Sequence, residues 1–265
     1  MAINQQSKVA ILGGGVMGKI MASALHEAGF KKITIIEKET KNLSALKKEL
    51  KSIRISQRLE DLQQAEIVFL AIKPQDFKKL NISFPVSSLV VSIMAGVKIK
   101  NLKDKFKTDR VIRAMPNILA SLSLGFTVWT ATKKVSQLEK KIIKKVWLQI
   151  GREMYVKSEE RINKATAVTG SGPAYIFYTI KVFMEAAKKI GFSEKESFDM
   201  VLSVAEGSIA FIKDNNAGKL DKLISCVASK GGTTEAALKK FSQRKLEKIW
   251  LESIQAALKR SRELG

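Results

Sequence analysis

Glycines near the start of the chain have the spacing of a loop that binds a dinucleotide. The residues Gly13, Gly14, Gly15, Val16, Met17 and Gly18 match the pattern G-x-G-x-x-G. They follow the short apolar run Val9–Leu12 and open a helical pattern, which is the context that gives this motif its meaning. Gly13 permits a tight turn, Gly15 lets the backbone approach a pyrophosphate, and Gly18 lets helix and strand pack closely. We therefore predict that this segment binds NAD(P)H.

An acidic residue, Glu37, ends the next apolar run, Ile33–Ile36. A carboxylate at this place accepts hydrogen bonds from a ribose diol and repels a 2′-phosphate, which favours NADH over NADPH. Lys38 and Lys41 are close enough in sequence to reach a phosphate, and all three residues could instead form a solvated turn. We expect NAD(P)H as the cofactor, with a preference for NADH.

Two further runs end in residues suited to contact the nicotinamide half of the cofactor. Lys73–Pro74 follows the run Ile67–Ile72, and Ala95–Gly96 follows Leu89–Met94. In open α/β sheets, ligands bind beyond the carboxyl ends of the strands, where these residues fall. Alternatively, the proline only ends its strand and the glycine only turns the chain. The runs alone leave both interpretations open, and the candidate cofactor-binding residues in this part of the chain are Ala71, Lys73, Pro74, Ala95 and Gly96.

Two loops of small and hydroxyl-bearing residues, Thr169–Tyr175 and Ser229–Thr234, each precede a predicted helix. Such a loop offers exposed N–H groups and the positive end of a helix dipole to an anion such as a carboxylate. Alternatively, Thr233 or Thr234 caps the helix that follows. Because two such loops lie in the helical part of the chain, we favour substrate binding.

Short apolar runs alternate with helical patterns in the first part of the chain. The runs are Val9–Leu12, Ile33–Ile36, Ile67–Ile72, Leu89–Met94, Val111–Met115 and Gly125–Trp129. Continuous apolar strands between helices are typical of a parallel sheet buried on both faces. From about Gln137 onward strand-like runs largely disappear, and long amphipathic helices take over. The chain is therefore predicted to be α/β, with a Rossmann doubly wound parallel sheet in residues 1–160 and an all-α domain in residues 161–265.

The chain is strongly basic, with 47 Lys and Arg against 25 Asp and Glu and a formal net charge of +22. The basic residues are dispersed over polar helix faces, and they are not interleaved with aromatic residues as in a groove that stacks nucleic-acid bases. We therefore expect non-specific binding to nucleic acid at low salt, and no specific nucleic-acid partner.

Several other classes of protein are disfavoured. No stretch has the roughly 18 apolar residues of a membrane span, and the polar start lacks the apolar core of a signal peptide, so we expect a cytoplasmic protein. The single cysteine, Cys226, cannot form an internal disulfide. No cluster of His, Cys or carboxylate residues has metal-ligand spacing, and we expect no metal. The only histidine, His26, lies on the first helix, where a solvated or capping role is expected.

Five segments resemble, in chain order, the successive motifs of the pyrroline-5-carboxylate reductase family. They are Ala71–Pro74, Ser92–Gly96, Arg113–Asn117, Thr169–Tyr175 and Gly231–Thr234. The resemblance covers essentially the whole chain. It implies reduction of the cyclic imine 1-pyrroline-5-carboxylate to L-proline with NAD(P)H, the last step of proline biosynthesis. It also implies that the helical domain forms an intertwined dimer, and dimers of this family often assemble further.

The resemblance also implies roles for residues of the site. The N–H groups around Gly232–Thr234 would hold the substrate carboxylate, and the hydroxyl of Thr234, the catalytic contact, would meet the ring nitrogen. Lys73 and Asn117 would line the nicotinamide side. The substrate-binding residues implied in this way are Ser229, Gly231, Gly232, Thr233 and Thr234.

Beside the predicted site, the chain departs from the family's usual pattern at three places. Lys230 stands where proline is usual, Ile118–Leu119 where threonine–proline is usual, and Ser123 where glycine is usual.

Two alternative functions remain. One is a related imine or β-hydroxyacid oxidoreductase of the same architecture. β-Hydroxyacid dehydrogenases place a catalytic lysine on the helix after a glycine-rich loop, whereas here no lysine follows Gly172 until Lys181. The other is a basic protein that binds a cofactor or nucleic acid and has lost catalytic activity.

Overall fold

The apolar runs of the sequence form the central strands of one eight-stranded sheet. The strands are β1 (Lys8–Leu12), β2 (Lys32–Ile36), β3 (Arg54–Ser56), β4 (Ile67–Leu70), β5 (Leu89–Ser92), β6 (Val111–Met115), β7 (Gly125–Ala131) and β8 (Gly151–Tyr155). The computed structural model describes residues 3–82, 84–215 and 220–264. The order across the sheet is β3-β2-β1-β4-β5-β6-β7-β8. This mainly parallel sheet confirms the predicted Rossmann architecture.

Helices separate the strands and then make up the rest of the described chain. They are α1 (Val16–Glu27), α2 (Thr40–Glu49), α3 (Pro74–Lys79), α4 (Ile99–Phe106), α5 (Gln137–Gln149), α6 (Glu160–Ala165), α7 (Gly172–Lys189), α8 (Glu194–Asp214), α9 (Leu220–Val227), α10 (Thr233–Gln243) and α11 (Leu246–Glu263). Two 3₁₀ turns (Leu59–Gln64, Ile118–Leu122) and one π-helical turn (Thr166–Gly170) complete them. No strand is described after Tyr155, so the predicted all-α character of the second part is confirmed. None of the described helices is both long and apolar enough to cross a membrane.

One pair of strands breaks the parallel pattern, because β6 and β7 are antiparallel. Only residues 116–124 connect the two strands, and most of them form a 3₁₀ turn. A parallel connection needs a crossover of about a dozen residues or more, which this connection does not supply. The longer connection through α5 then allows β8 to run parallel to β7.

The two strands that the sequence did not predict, β3 and β8, form the two edges of the sheet. The strand β3 has only three residues, and β8 contains the charged pair Arg152–Glu153. An edge strand has one neighbour and stays partly exposed, so it does not need the continuous apolar run of a central strand. Strands do largely disappear after Gln137, as expected, and β8 is the one strand described beyond that residue.

The carboxyl ends of the central strands position the site. Because β1, β2, β4 and β5 are mutually parallel, they all end at the same edge of the sheet. Apolar side chains pack on both faces of these strands, with Ile11 and Phe69 on one face and Leu12 and Leu70 on the other. The loops that leave this edge are therefore anchored by a buried core.

The described chain divides into two compact units. The first extends through Ser171 and also takes up the residues from Ala256 onward, and Gly172–Gln255 form the second. The residues assigned to the cofactor lie in the first unit, and the loop Ser229–Thr234 lies in the second.

Candidate active site

Gly13 and Gly18 allow the loop after β1 to fold tightly on its neighbours. Gly13 has a φ of 104°, in the left-handed region that favours glycine. A Cβ atom on Gly13 would lie 2.8 Å from the carbonyl oxygen of Ala71, and one on Gly18 would lie 1.9 Å from the carbonyl oxygen of Gly13. Side chains are therefore excluded at both positions. Gly13 makes the turn, and Gly18 makes the close contact between helix and strand.

Gly15 differs from Gly13 and Gly18, because the space that a side chain would occupy there is empty. It is the N-cap residue of α1 with a φ of −66°, which any residue adopts, and no side chain caps the helix here. A Cβ atom on Gly15 would meet no described atom within 4 Å. The helix start thus leaves free space beside exposed N–H groups. This cradle fits the pyrophosphate of a dinucleotide.

Both carboxylate oxygens of Glu37 accept backbone hydrogen bonds, which its place in the sequence did not indicate. One carboxylate oxygen, Oε2, accepts the N–H of Gly14 at 2.9 Å, and the other, Oε1, accepts the N–H of Glu39 at 2.8 Å. The residue is 8% exposed. Glu37 therefore braces the glycine loop against the loop after β2. The nearby Lys38 and Lys41 are exposed.

The residues that follow β4 and β5 lie at the same edge as the glycine loop. The N–H of Ala71 donates to the carbonyl oxygen of Leu12 at 2.9 Å, which sets the chain after β4 beside the loop after β1. Lys73 is exposed and is the N-cap residue of α3, with Pro74 as the first helical residue. Gly96 is buried with a φ of 76°. These residues are thus brought near each other by the parallel strands.

Asn117, directly after β6, is a buried amide with one unused polar atom. The residue is 7% exposed, and its Nδ2 donates to the carbonyl oxygen of Thr169 at 2.9 Å. Within the described chain its Oδ1 accepts no hydrogen bond. A buried acceptor without a donor is costly, so this atom is suited to accept an N–H group from a ligand.

The loop before α10 is held by hydrogen bonds of its glycine N–H groups and not by a threonine cap. Gly231 has a φ of 73°, and its N–H donates to Oε2 of Glu235 at 2.6 Å. The N–H of Gly232 donates to the carbonyl oxygen of Ser229 at 3.0 Å. Gly232 is the N-cap residue, and no side chain caps the helix. Neither Thr233 nor Thr234 caps α10, so both hydroxyls remain available at the positive end of the helix dipole.

Two family models match different parts of the chain. Residues 159–264 match a family model described as pyrroline-5-carboxylate reductase dimerisation, and residues 8–96 match one described as NADP oxidoreductase, coenzyme F420-dependent. A pyrroline-5-carboxylate reductase of Vibrio alginolyticus is 29% identical over 267 residues, covering 98% of each chain. Residues 159–264 thus belong to the pyrroline-5-carboxylate reductase dimerisation family, and the chain is similar to pyrroline-5-carboxylate reductases over essentially its full length.

Solved structures of pyrroline-5-carboxylate reductases share the fold of the whole chain. The structure from Coxiella burnetii is 26% identical with a TM-score of 0.82, and the match covers 98% of this chain and 99% of that one. The structure from Streptococcus pyogenes is 23% identical with a TM-score of 0.88, covering 98% of this chain and 100% of that one. The resemblance carried by the sequence motifs is therefore confirmed over essentially full length.

One departure from the usual pyrroline-5-carboxylate reductase pattern gives a prediction about stability. Ser123 has a φ of 55°, in the left-handed region, at a position where the family usually has glycine. We expect Ser123→Gly to stabilise the fold by about 0.5–1 kcal/mol, because the strain of a non-glycine residue is relieved. Ser121→Gly is the control, since Ser121 lies inside the 3₁₀ turn and should lose stability. The measurement is urea unfolding, and no gain for Ser123→Gly would contradict it.

Among the residues that the structure describes, no three His, Cys, Asp or Glu side chains come together as a metal site would require.

The fold also holds a polar network that the sequence motifs did not reveal. Arg113, named above only as part of a motif, is 1% exposed and binds Glu159 and Asn163. No spacing rule could pair residues that lie so far apart in the chain.

Proposed function

We propose that the protein reduces 1-pyrroline-5-carboxylate to L-proline with NAD(P)H. The observation that carries the proposal is the collinear match to a pyrroline-5-carboxylate reductase over 98% of both chains. The glycine cradle after β1 supports it, because it fits the pyrophosphate of the required cofactor.

The first unit would hold the cofactor. The cradle Gly13–Gly18 would bind the pyrophosphate through the N–H groups at the start of α1. Lys73–Pro74, Ala95–Gly96 and Asn117 would line the nicotinamide side, with the free Oδ1 of Asn117 as an acceptor for an N–H group. When bound, the reduced nicotinamide supplies the hydride that is added to the imine carbon.

The loop before α10 would hold the substrate. The N–H groups of Gly231 and Gly232 are already used within the loop, so Thr233 and Thr234 offer the N–H groups that remain for the carboxylate. The hydroxyl of Thr234 would then contact the ring nitrogen, and Ser229 would support the loop. A cyclic imine is basic enough to carry its own proton near neutral pH, so no strong acid is required. Its nitrogen keeps that proton and becomes an amine when the carbon is reduced, and positioning supplies much of the rate.

A substrate panel tests this function against its main alternative. The oxidation of NADH and of NADPH is followed with 1-pyrroline-5-carboxylate and, separately, with acyclic keto acids. We expect turnover of the imine and none of the keto acids. Faster reduction of a keto acid would instead favour a β-hydroxyacid oxidoreductase.

We further propose that NADH is used at least as well as NADPH, because the Glu37 carboxylate would repel a 2′-phosphate. Glu37→Ser should shift the preference toward NADPH by roughly tenfold, given a repulsion of about 1–4 kcal/mol between charges about 4 Å apart. It should also weaken both cofactors, because the N–H groups of Gly14 and Glu39 lose their acceptor. The measurement is kcat/KM with each cofactor.

Glu39→Ser is the matched control, since it removes the same charge from an exposed side chain and leaves the backbone N–H in place. It should change the preference little. A tenfold or greater preference of the unmodified protein for NADPH would contradict the proposal.

We propose that residues 161–265 form a homodimer. Within their described residues, α9 and α10 bury no side chain, and α7 buries only Pro173 and Ala187. Large apolar side chains of α7 and α8 are instead exposed, including Ile176, Phe177, Tyr178, Val182, Phe183, Phe198, Val204, Ile209 and Phe211. Apolar surface of this extent is typical of an obligate interface.

Light scattering at micromolar concentration tests the dimer. We expect a mass of at least twice the 29.4 kDa of one chain. A monomer that keeps full activity would show that the exposed apolar helices do not form the functional interface.

A further inference from the structure

Arg113 is a buried cation held by two acceptors. Its Nη1 donates to Oε1 of Glu159 at 2.7 Å, and its Nη2 donates to Oδ1 of Asn163 at 2.8 Å. The residue lies on β6 and is 1% exposed, so its charge depends on these partners. The planar guanidinium holds both acceptors in a fixed geometry, which a lysine ammonium cannot reproduce.

Glu159 connects this arginine to a second element. Its Oε1 also accepts the N–H of Ile99, the first residue of α4, at 2.7 Å. The N-cap residue of that helix, Lys98, offers no side-chain cap, so Glu159 satisfies one of the helix's free N–H groups. Ile99 follows Ala95–Gly96 by three positions. One carboxylate therefore ties the loop after β5 to β6.

The segment that carries Glu159 and Asn163 is anchored to the chain after β6 as well. The Nδ2 of Asn117 donates to the carbonyl oxygen of Thr169, at the end of the same segment. Hydrogen bonds from Arg262 and Asn163 hold the pKa of the adjacent Glu160 carboxyl below its usual range, so that carboxylate stays charged. The segment 159–170 thus contacts both loops that would line the nicotinamide.

We propose that Arg113 is a positioning residue for the nicotinamide side of the cofactor site, an inference that rests on the proposed function. Because its side chain is buried, Arg113 would contact neither the cofactor nor the substrate. Through Glu159 it sets the loop with Ala95–Gly96, and through Asn163 it sets the segment that orients Asn117. A displacement of about 1 Å at such a site costs on the order of 100-fold in rate.

Binding measurements on four variants test this role. Arg113→Lys and Glu159→Ala should weaken NADH about 3- to 10-fold, because the nicotinamide would lose its hydrogen bond to Asn117, while the affinity for ADP-ribose, which lacks the nicotinamide, should stay within about twofold. Glu159→Gln keeps an acceptor and should recover part of the loss. Calorimetry gives both affinities, and thermal unfolding is recorded alongside.

Glu139→Ala is the matched control. Glu139 pairs with Arg110 before β6 and accepts the N–H of Ser136 at the start of α5, so it has the same kind of partners as Glu159. Its loss should lower the melting temperature and leave both affinities unchanged. The control separates a positioning effect from general destabilisation.

Two results would overturn the proposal: equal weakening of NADH and ADP-ribose, or unchanged NADH affinity in Glu159→Ala. Glu159 is 31% exposed in its side chain, so this variant remains informative even if Arg113→Lys does not fold. Because NADH binding needs no imine, a failure to reduce 1-pyrroline-5-carboxylate would reject the proposed function and leave this test intact.

Discussion

Thr234→Val is expected to lower kcat/KM for 1-pyrroline-5-carboxylate by roughly 10- to 150-fold. The hydroxyl of Thr234 is the side-chain group proposed to contact the ring nitrogen, and a lost hydrogen bond to a charged group costs about 1.5–3 kcal/mol. Since Gly232 and not a threonine is the N-cap residue of α10, the helix should form normally in the variant. Steady-state kinetics with saturating NADH measure the effect.

Thr233→Val and Lys230→Pro serve as controls for this substitution. Thr233→Val keeps the backbone N–H that is proposed to hold the carboxylate, and it removes only a hydroxyl that we do not assign to the ring nitrogen. Lys230 is exposed. Both variants should keep most of the turnover, and all three should bind NADH as the unmodified protein does. Full turnover by Thr234→Val would show that the loop only begins a helix and that the substrate assignment is wrong.

Gly15→Val is expected to weaken cofactor binding by about 100-fold or more without loss of stability. The backbone of Gly15 suits any residue, and a Cβ there meets no described atom within 4 Å, so the protein itself tolerates the side chain. The added methyl groups would fill the space proposed for the pyrophosphate, and a loss of about 2.8 kcal/mol corresponds to 100-fold. Calorimetric titration with NADH measures the affinity, and thermal unfolding measures the stability.

Gly18→Ala, in contrast to Gly15→Val, is expected to lower the stability of the fold. Its Cβ would lie 1.9 Å from the carbonyl oxygen of Gly13, so helix and strand must separate and the fold should be destabilised. Were Gly15→Val to bind NADH normally, the open face of the loop would not be the pyrophosphate site.

The central strands could be predicted because a strand that is buried on both faces needs a continuous run of apolar residues. The strand β4 is buried along its whole length, and its residues IVFL form a continuous apolar run. The edge strand β8 has no such run, because none of the residues of GREMY is fully buried. The strands β6 and β7 are antiparallel because the connection between them is short. The positions of the apolar runs alone do not show the direction of a strand.

The glycine loop Gly13–Gly18 could also be predicted, because its motif consists of consecutive residues. The bracing of the loop by Glu37 could not, because it depends on where β2 places a carboxylate relative to Gly14. The network of Arg113 joins positions 46 and 50 residues apart, and the contact of Asn117 with Thr169 spans 52 residues. Such pairs become neighbours only after the sheet and α6 have formed.

The loop Ser229–Thr234, which we propose binds the substrate, lies between these two cases. Its glycines and threonines were visible in the sequence, but a helix cap and an anion site share the same residue types. We propose the anion site, because the hydrogen bonds of Gly231 and Gly232 order the loop and leave the threonine hydroxyls unused for capping.

Product analysis tests the central claim most directly. The protein is incubated with 1-pyrroline-5-carboxylate and NADH, and the L-proline formed is quantified against the NADH consumed. We predict one molecule of L-proline for each NADH oxidised, and a rate that falls roughly 10- to 150-fold in Thr234→Val. Consumption of NADH without L-proline, or no consumption with either NADH or NADPH, would contradict the account.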